Sequence, residues 1–256
     1  MKPSRPLLFL VLFLLAAPAA LPQADSLFYR ATDAYNEGAY QQAVDNYQQI
    51  LESDQHSAAL YYNLGNAYYK LGQIAPSIYY YEKALLLKPG DPEIRNNLAF
   101  ARNMTLDAIQ PLPETQISRW YNGLLYRFSI DQWAYMGIVC MFLFVMAYLA
   151  FYRLYQPNQK RIALISSLLF LGLCIVTTAL AYLQRLEYRA DQPAIIFAGE
   201  VTVRSEPNRG ASEAFKLHEG TRVQVRDSLA DWRKILLADG QSGWMPAEDL
   251  KLLKKF

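Results

Sequence analysis

His56 and His218 are the only histidines of the chain, and Cys140 and Cys174 its only cysteines. Acid–base or nucleophilic chemistry needs such a group beside a partner that activates it, and a metal needs several at ligand spacing. Neither histidine stands in an H-x-x-E-H or H-E-x-x-H setting, no G-x-S-x-G or phosphate loop occurs, and no carboxylate pair stands apart from the surface charge. Both cysteines lie in apolar blocks, with no C-x2-C pair and no disulfide framework. The residue types therefore point away from an enzyme, a cofactor or a metal centre, and toward recognition. With 25 basic and 23 acidic residues and no long basic stripe, nucleic acid is not an expected partner.

What remains must be positioned by an uneven chain, 53% hydrophobic with three blocks in which apolar residues run almost without interruption. The first, residues 1–19, has Lys2 and Arg5, an apolar core from Leu7 to Ala17 and small residues at Ala17-Pro18-Ala19. That is the layout of a secretory signal peptide cut near Ala19, with an uncleaved anchor as the alternative. The other two, expected as transmembrane helices over 133–152 and 162–183, hold uncharged runs from Trp133 to Phe151 and from Ile162 to Leu183. A helix of about 20 residues spans roughly 30 Å, the thickness of the bilayer's hydrocarbon. The loop expected over 153–161 carries Arg153, Lys160 and Arg161 without an acid, which places it in the cytoplasm. Both polar regions then face outward, on the periplasmic side of a bacterial inner membrane. Neither span holds an ionisable residue of the kind an ion pathway needs.

Residues 25–108 compare with themselves at a spacing of 34: Ala31 with Gly65, Tyr35 with Tyr69, Gly38 with Gly72, Tyr47 with Tyr81, Leu51 with Leu85. Leu60 with Ile94, Asn63 with Asn97, Leu64 with Leu98 and Ala67 with Ala101 continue the register. This resembles the tetratricopeptide repeat, a helix pair of that period, with Tyr61, Leu64, Gly65, Tyr68, Tyr81, Ala84 and Pro89 at its large, small and proline positions. Two repeats, about 25–57 and 58–91, precede a capping helix opened by Asp91 and Pro92. About three units are commonly needed for a stable stack, so this one should lean on the membrane or a partner. The resemblance implies a concave groove on Phe28, Thr32, Tyr35, Asn36, Tyr62, Asn66, Tyr69, Lys70, Asn96 and Phe100, able to hydrogen-bond a peptide backbone and clamp apolar side chains. For Tyr62 and Tyr69, packing between repeats is the equal alternative.

Over 115–130, Ile117, Trp120, Tyr121, Leu124, Leu125 and Phe128 recur as one helical face flanked by Arg119 and Arg127. This fits an interfacial helix on the bilayer, or else a helix packed on the repeats. From 194 to 254, short alternating runs (Val201/Val203, Val223/Val225, Ile235/Leu237) separated by turn residues suggest about five strands in a small barrel. The pattern of Leu217-x-x-Gly220, Trp232 and Gly243-Trp244 resembles bacterial SH3-like domains. That resemblance implies a groove for peptides or cell-wall fragments at Trp232 and Trp244. In so small a barrel at least one of the two is expected in the core.

The expected fold class is thus a multi-domain membrane protein: all-α tetratricopeptide repeats, a two-helix transmembrane hairpin and a C-terminal all-β SH3-like barrel. In this order, with the run from Ala194 to Val201 and Leu217-His218-Glu219-Gly220, the chain resembles the BatE proteins of the Bacteroides aerotolerance family. The resemblance implies a membrane assembly with von Willebrand factor A-type proteins and a MoxR-type ATPase, linked to oxidative-stress tolerance and envelope integrity; the expected role is a non-enzymatic inner-membrane scaffold whose repeats and barrel both bind envelope or membrane protein partners. A cell-wall sensor whose barrel binds peptidoglycan is the alternative.

Overall fold

The computed structural model describes residues 21–254, so the signal peptide expected over 1–19 lies outside the described residues. The described chain forms two compact units, each made of sequence-distant pieces. One joins the chain up to Ile109 with nearly all of Pro193 onward, and the other is built around residues 110–192.

In the first unit, α1 (Leu21–Asn36), α2 (Tyr40–Glu52), α3 (Ala58–Lys70), α4 (Ile74–Leu87) and α5 (Pro92–Arg102) make two helix pairs and a single helix. Ser57 caps α3 through Leu60 N–H, and Asp91 caps α5 through the N–H groups of Glu93 and Ile94, with Pro92 at the first turn. Both are N-terminal caps, and Asp91-Pro92 is the start signal legible in the sequence. Gly65 lets α3 and α4 close up: a Cβ there would stand 2.6 Å from the Tyr81 ring. The Ser77 hydroxyl donates to the Gly65 carbonyl at 2.9 Å across the same contact. Tyr61, Leu64, Tyr68 and Tyr81 are buried, as the repeat spacing requires.

The C-terminal part is a seven-stranded antiparallel sheet: β1 (Pro193–Ile196), β2 (Glu200–Arg204), β3 (Glu213–His218), β4 (Arg222–Leu229), β5 (Trp232–Leu236), β6 (Ser242–Pro246) and β7 (Leu250–Leu252), in the order β3-β2-β6-β5-β4-β1-β7. It has two strands more than the alternating runs indicate. Val201, Val203, Leu217, Val223, Val225, Ile235, Leu237 and Met245 share its core.

The repeat stack leans on the barrel of its own chain. Strand β1 is buried along its whole length. Ala194 and Ile196 enter the barrel core, while Ile195 between them, facing the opposite way as strand alternation demands, enters the core of α4 and α5. Leu253, just past β7, joins Ile195 there with Ile78, Ile94 and Leu98, and both are fully buried. Polar contacts close the edges of this seam. Tyr79 donates its hydroxyl to the Leu252 carbonyl at 3.3 Å, and Glu82 pairs with Arg102 of α5 and with Arg222 of β4. Asp107 accepts from His218 N–H at 2.7 Å and Thr221 Oγ1 at 2.6 Å, and its other oxygen lies 2.8 Å from His218 Nδ1. Burial alone would raise the Asp107 carboxyl, but the Thr221 and His218 hydrogen bonds outweigh it and hold it below the usual range. The turn between β3 and β4 passes close to this seam at Gly220, whose φ is +83° and where a Cβ would meet Thr105 at 2.8 Å.

The second unit contains α6 (Gln116–Leu125), α7 (Ile130–Arg153) and α8 (Pro157–Ala190). Both α7 and α8 are long and apolar enough to cross a membrane, and only 6% and 22% of their most apolar windows are buried. A core helix of a soluble protein would hide that surface, so the two are candidate membrane spans. The basic loop expected over 153–161 shrinks to residues 154–156, because Pro157 already occupies the first turn of α8. At 34 residues, about 51 Å of helix, α8 runs well past the apolar stretch 162–183. Cys174 and Thr177 are buried in the hairpin, and a Cβ at Gly137 would come 3.1–3.2 Å from the hydroxyls of Thr178 and Thr177.

Candidate functional site

The repeats bring one set of candidate residues together around a cavity of about 240 Å³ lined by Tyr35, Asn66, Tyr69, Lys70, Tyr81, Asn97 and Phe100. Its floor is a fixed hydrogen-bond network. Tyr81 OH donates to Asn66 Oδ1 at 2.6 Å, Asn97 Nδ2 donates to the same oxygen at 2.9 Å, and Asn97 Nδ2 also lies 3.0 Å from Tyr62 OH. With its oxygen accepting twice, the Asn66 amide has only one orientation, which leaves its two N–H groups to donate. Burial raises the phenols of Tyr35 and Tyr81, so both stay neutral at physiological pH. Lys70 stands exposed at the rim and makes no ion pair within 4.0 Å among the described residues. Directed amide donors, one cation and the rings of Tyr35, Tyr69 and Phe100 suit a ligand that presents carbonyl or carboxylate oxygens beside an apolar side chain.

Other residues of the expected groove lie elsewhere. Phe28 packs edge-on against Tyr47 with centroids 5.5 Å apart, and the Thr32 hydroxyl lies 3.0 Å from Tyr47 OH, so both serve the packing of α1 on α2. Asn36 and Asn96 are exposed and line no part of the cavity. Asn97 takes the position expected of Asn96, for a helical reason. Ile94, Leu98 and Ala101 form the buried stripe of α5; Asn97 flanks that stripe, whereas Asn96 points to the far side. Tyr81, assigned to packing by the repeat pattern, does both, its ring against Gly65 and its hydroxyl on the cavity floor.

On the barrel, strand register decides where the tryptophans go. Lys234 pairs with Trp244, Trp232 with Pro246, and Arg204 with Trp244. Ile235 and Met245 are fully buried in the core, so their neighbours of opposite parity face outward. Neither tryptophan joins the buried core, contrary to the expectation from barrel size: both are half-buried on the outer face, with Lys234 between them. His218 is engaged by Asp107 and lies 3.7 Å from Glu200, within the seam. His56 Nδ1 lies 2.7 Å from Tyr61 OH, whose pKa burial pushes up to about 12. Among the described residues no three His, Cys, Asp or Glu side chains gather as a metal site.

Comparison with known families agrees with this fold. Residues 34–72 match the family described as TPR repeat, residues 58–91 the tetratricopeptide repeat, and residues 199–251 the bacterial SH3 domain. No curated protein is significantly similar to the chain. The chain thus carries tetratricopeptide repeats and a bacterial SH3 domain, which point to protein–protein interaction.

Proposed function

We propose that this protein is a non-enzymatic, membrane-anchored scaffold that holds envelope or membrane protein partners in the repeat groove and works in an aerotolerance or envelope-stress assembly. The observation that carries the reading is the Asn66 amide, whose oxygen is held by Tyr81 and Asn97 so that its N–H groups are left to donate in a cavity also lined by Lys70. Such a preorganised donor set loses little entropy on binding and favours an extended segment with an exposed carbonyl or carboxylate. The resemblance to BatE proteins supports partners of the von Willebrand factor A type and an associated MoxR-type ATPase. An inner-membrane location with both soluble regions on the periplasmic side has two supports. The basic residues Arg153, Lys160 and Arg161 cluster at the hairpin turn, and a unit assembled from chain before and after the hairpin needs an even number of crossings.

The outward pair Trp232 and Trp244 favours a second reading, in which the barrel binds peptidoglycan and the protein senses the cell wall. Aromatic faces beside a lysine suit sugar rings and acidic stem peptides.

One experiment separates the two. The full chain is purified from mild detergent as wild type, as K70E/F100A and as W232A/W244A, its partners are identified by mass spectrometry, and each version is pelleted with purified peptidoglycan. Lys70 and Phe100 are exposed, so their replacement leaves the fold intact. Loss of defined partners with K70E/F100A is the expected result. Retention of every partner by that variant, with pelleting abolished in W232A/W244A, would overturn the scaffold reading in favour of the sensor.

A further inference from the structure

The apolar face of α6 is too wide for one neighbour to cover. Around the helix, Trp120, Leu124 and Ile117 occupy one edge of the stripe and Tyr121 and Leu125 the other. Only the second edge is occupied. Leu125 is fully buried and its carbonyl accepts from Trp133 Nε1 at 3.0 Å, in the first turn of α7. Tyr121 and the following Tyr126 donate their hydroxyls to the two oxygens of Glu187 on α8, at 2.8 and 2.7 Å. Gln184 Nε2 reaches the Phe128 carbonyl at 3.3 Å, and Phe128 meets Trp133 edge-on with centroids 5.0 Å apart. The first edge is bare: Ile117 is 80% exposed, Trp120 72% and Leu124 41%.

These anchors also fix the level of α6. Trp133 begins the uncharged run of α7, and Gln184 and Glu187 follow directly on the uncharged run of α8 that ends at Leu183. The helix is therefore tied to both spans at the same border, where hydrocarbon gives way to polar surroundings. A bare stripe of isoleucine, tryptophan and leucine held at that border, with exposed Arg119 and Arg127 beside it, has the chemistry of a lipid interface. We infer that α6 is a lipid-docking element: Ile117, Trp120 and Leu124 enter the headgroup–acyl boundary of the bilayer, while Tyr121, Tyr126 and Glu187 clasp the helix to the hairpin. The inference rests on α7 and α8 being membrane spans, and it adds a third membrane contact that is neither span nor soluble domain.

The full chain is reconstituted in phosphatidylcholine vesicles whose acyl chains carry bromine either near the glycerol or near the methyl end, and tryptophan emission is compared among wild type, Trp120→Phe and Phe142→Trp. Phe142 is 69% exposed near the middle of α7 and reports on the span itself. The emission that disappears with Trp120→Phe should be the part quenched by bromine near the glycerol and spared by bromine near the methyl end. Emission added by Phe142→Trp should show the reverse. If the Phe142→Trp signal is quenched while the Trp120 signal responds to neither lipid, the docking inference is wrong and the spans stand. Should the Phe142→Trp signal also escape both lipids, the membrane reading fails and takes the inference with it.

Discussion

Leu253 lies outside the repeats in sequence yet inside their core in space, so Leu253→Ala tests whether repeats and barrel are one folded unit. The side chain is fully buried against the cluster that contains Ile78, Ile94, Leu98 and Ile195, and its N–H donates to the Pro193 carbonyl at 2.9 Å. Truncating a fully buried leucine costs about 2–5 kcal/mol, the upper end applying where neighbours cannot collapse into the space. Here the cavity would open between two secondary-structure layers, with Ile195 fixed in the ladder of β1 and unable to follow. At about 1.4 kcal/mol per factor of ten, the opened population should rise by about 30-fold to a few thousand-fold. Hydrogen exchange of the full chain in detergent reads this directly. Protection should fall together in α4, α5, β1 and β7 and stay unchanged in α7 and α8. Ile235→Ala, which removes comparable volume from the barrel core alone, should instead loosen β4, β5 and β6 first. If Leu253→Ala changes exchange in the barrel strands and leaves α4 and α5 as protected as before, the shared core does not exist and the reasoning from it falls.

Gly65→Ala should destabilise the first unit by about 1–3 kcal/mol, because the new methyl meets the Tyr81 ring, which is buried and hydrogen-bonded to Asn66; a shifted denaturant midpoint in the full chain measures it. The pH dependence of the seam follows from Asp107, whose carboxyl is held below its unfolded value of 3.8. Its contribution is fully present above that value and is lost as pH falls through the depressed folded value, since the unfolded state then binds the proton more readily. Asp107→Asn should remove this acid-side loss, and thermal melts of both proteins between neutral and strongly acidic pH would show no difference if the seam carries none of it.

The sequence made the helical half legible because its devices are local: a 34-residue register, Asp91 followed by Pro92, and a glycine where two helices touch. The apolar hairpin was legible for the same reason, since a membrane imposes a length on any helix that crosses it. The seam was not, because it joins residues more than 100 positions apart, such as Asp107 with His218, and no periodicity links them. One trace of it was present. The run Ala194-Ile195-Ile196-Phe197 lacks the apolar–polar alternation of a half-exposed strand, which is the mark of a strand buried on both faces. Barrel size alone puts at least one of the two groove tryptophans in the core, but register does not: parity with Ile235 and Met245 sends both outward. In the groove, α5 must turn Ile94 and Leu98 inward, which leaves Asn97, and not the expected Asn96, facing Asn66.

The shared core couples the two candidate recognition surfaces. Helix α5 supplies Asn97 and Phe100 to the groove, Ile94 and Leu98 to the core that receives Ile195 and Leu253, and Arg102 to the Glu82 carboxylate that also holds Arg222 of the barrel. One rigid element thus touches the candidate groove along one side and the barrel along another. A ligand that displaced α5 to widen the cavity would have to deform the seam, and by reciprocity a ligand that shifted β1 or β7 would be felt at Asn97. Deleting the barrel would uncover Ile78, Ile94 and Leu98 in water and take the groove's shape with it, so loss of a partner after that deletion says nothing about which surface held the partner. Exposed point changes such as K70E and F100A avoid this, because they alter the groove while leaving the core that both modules share.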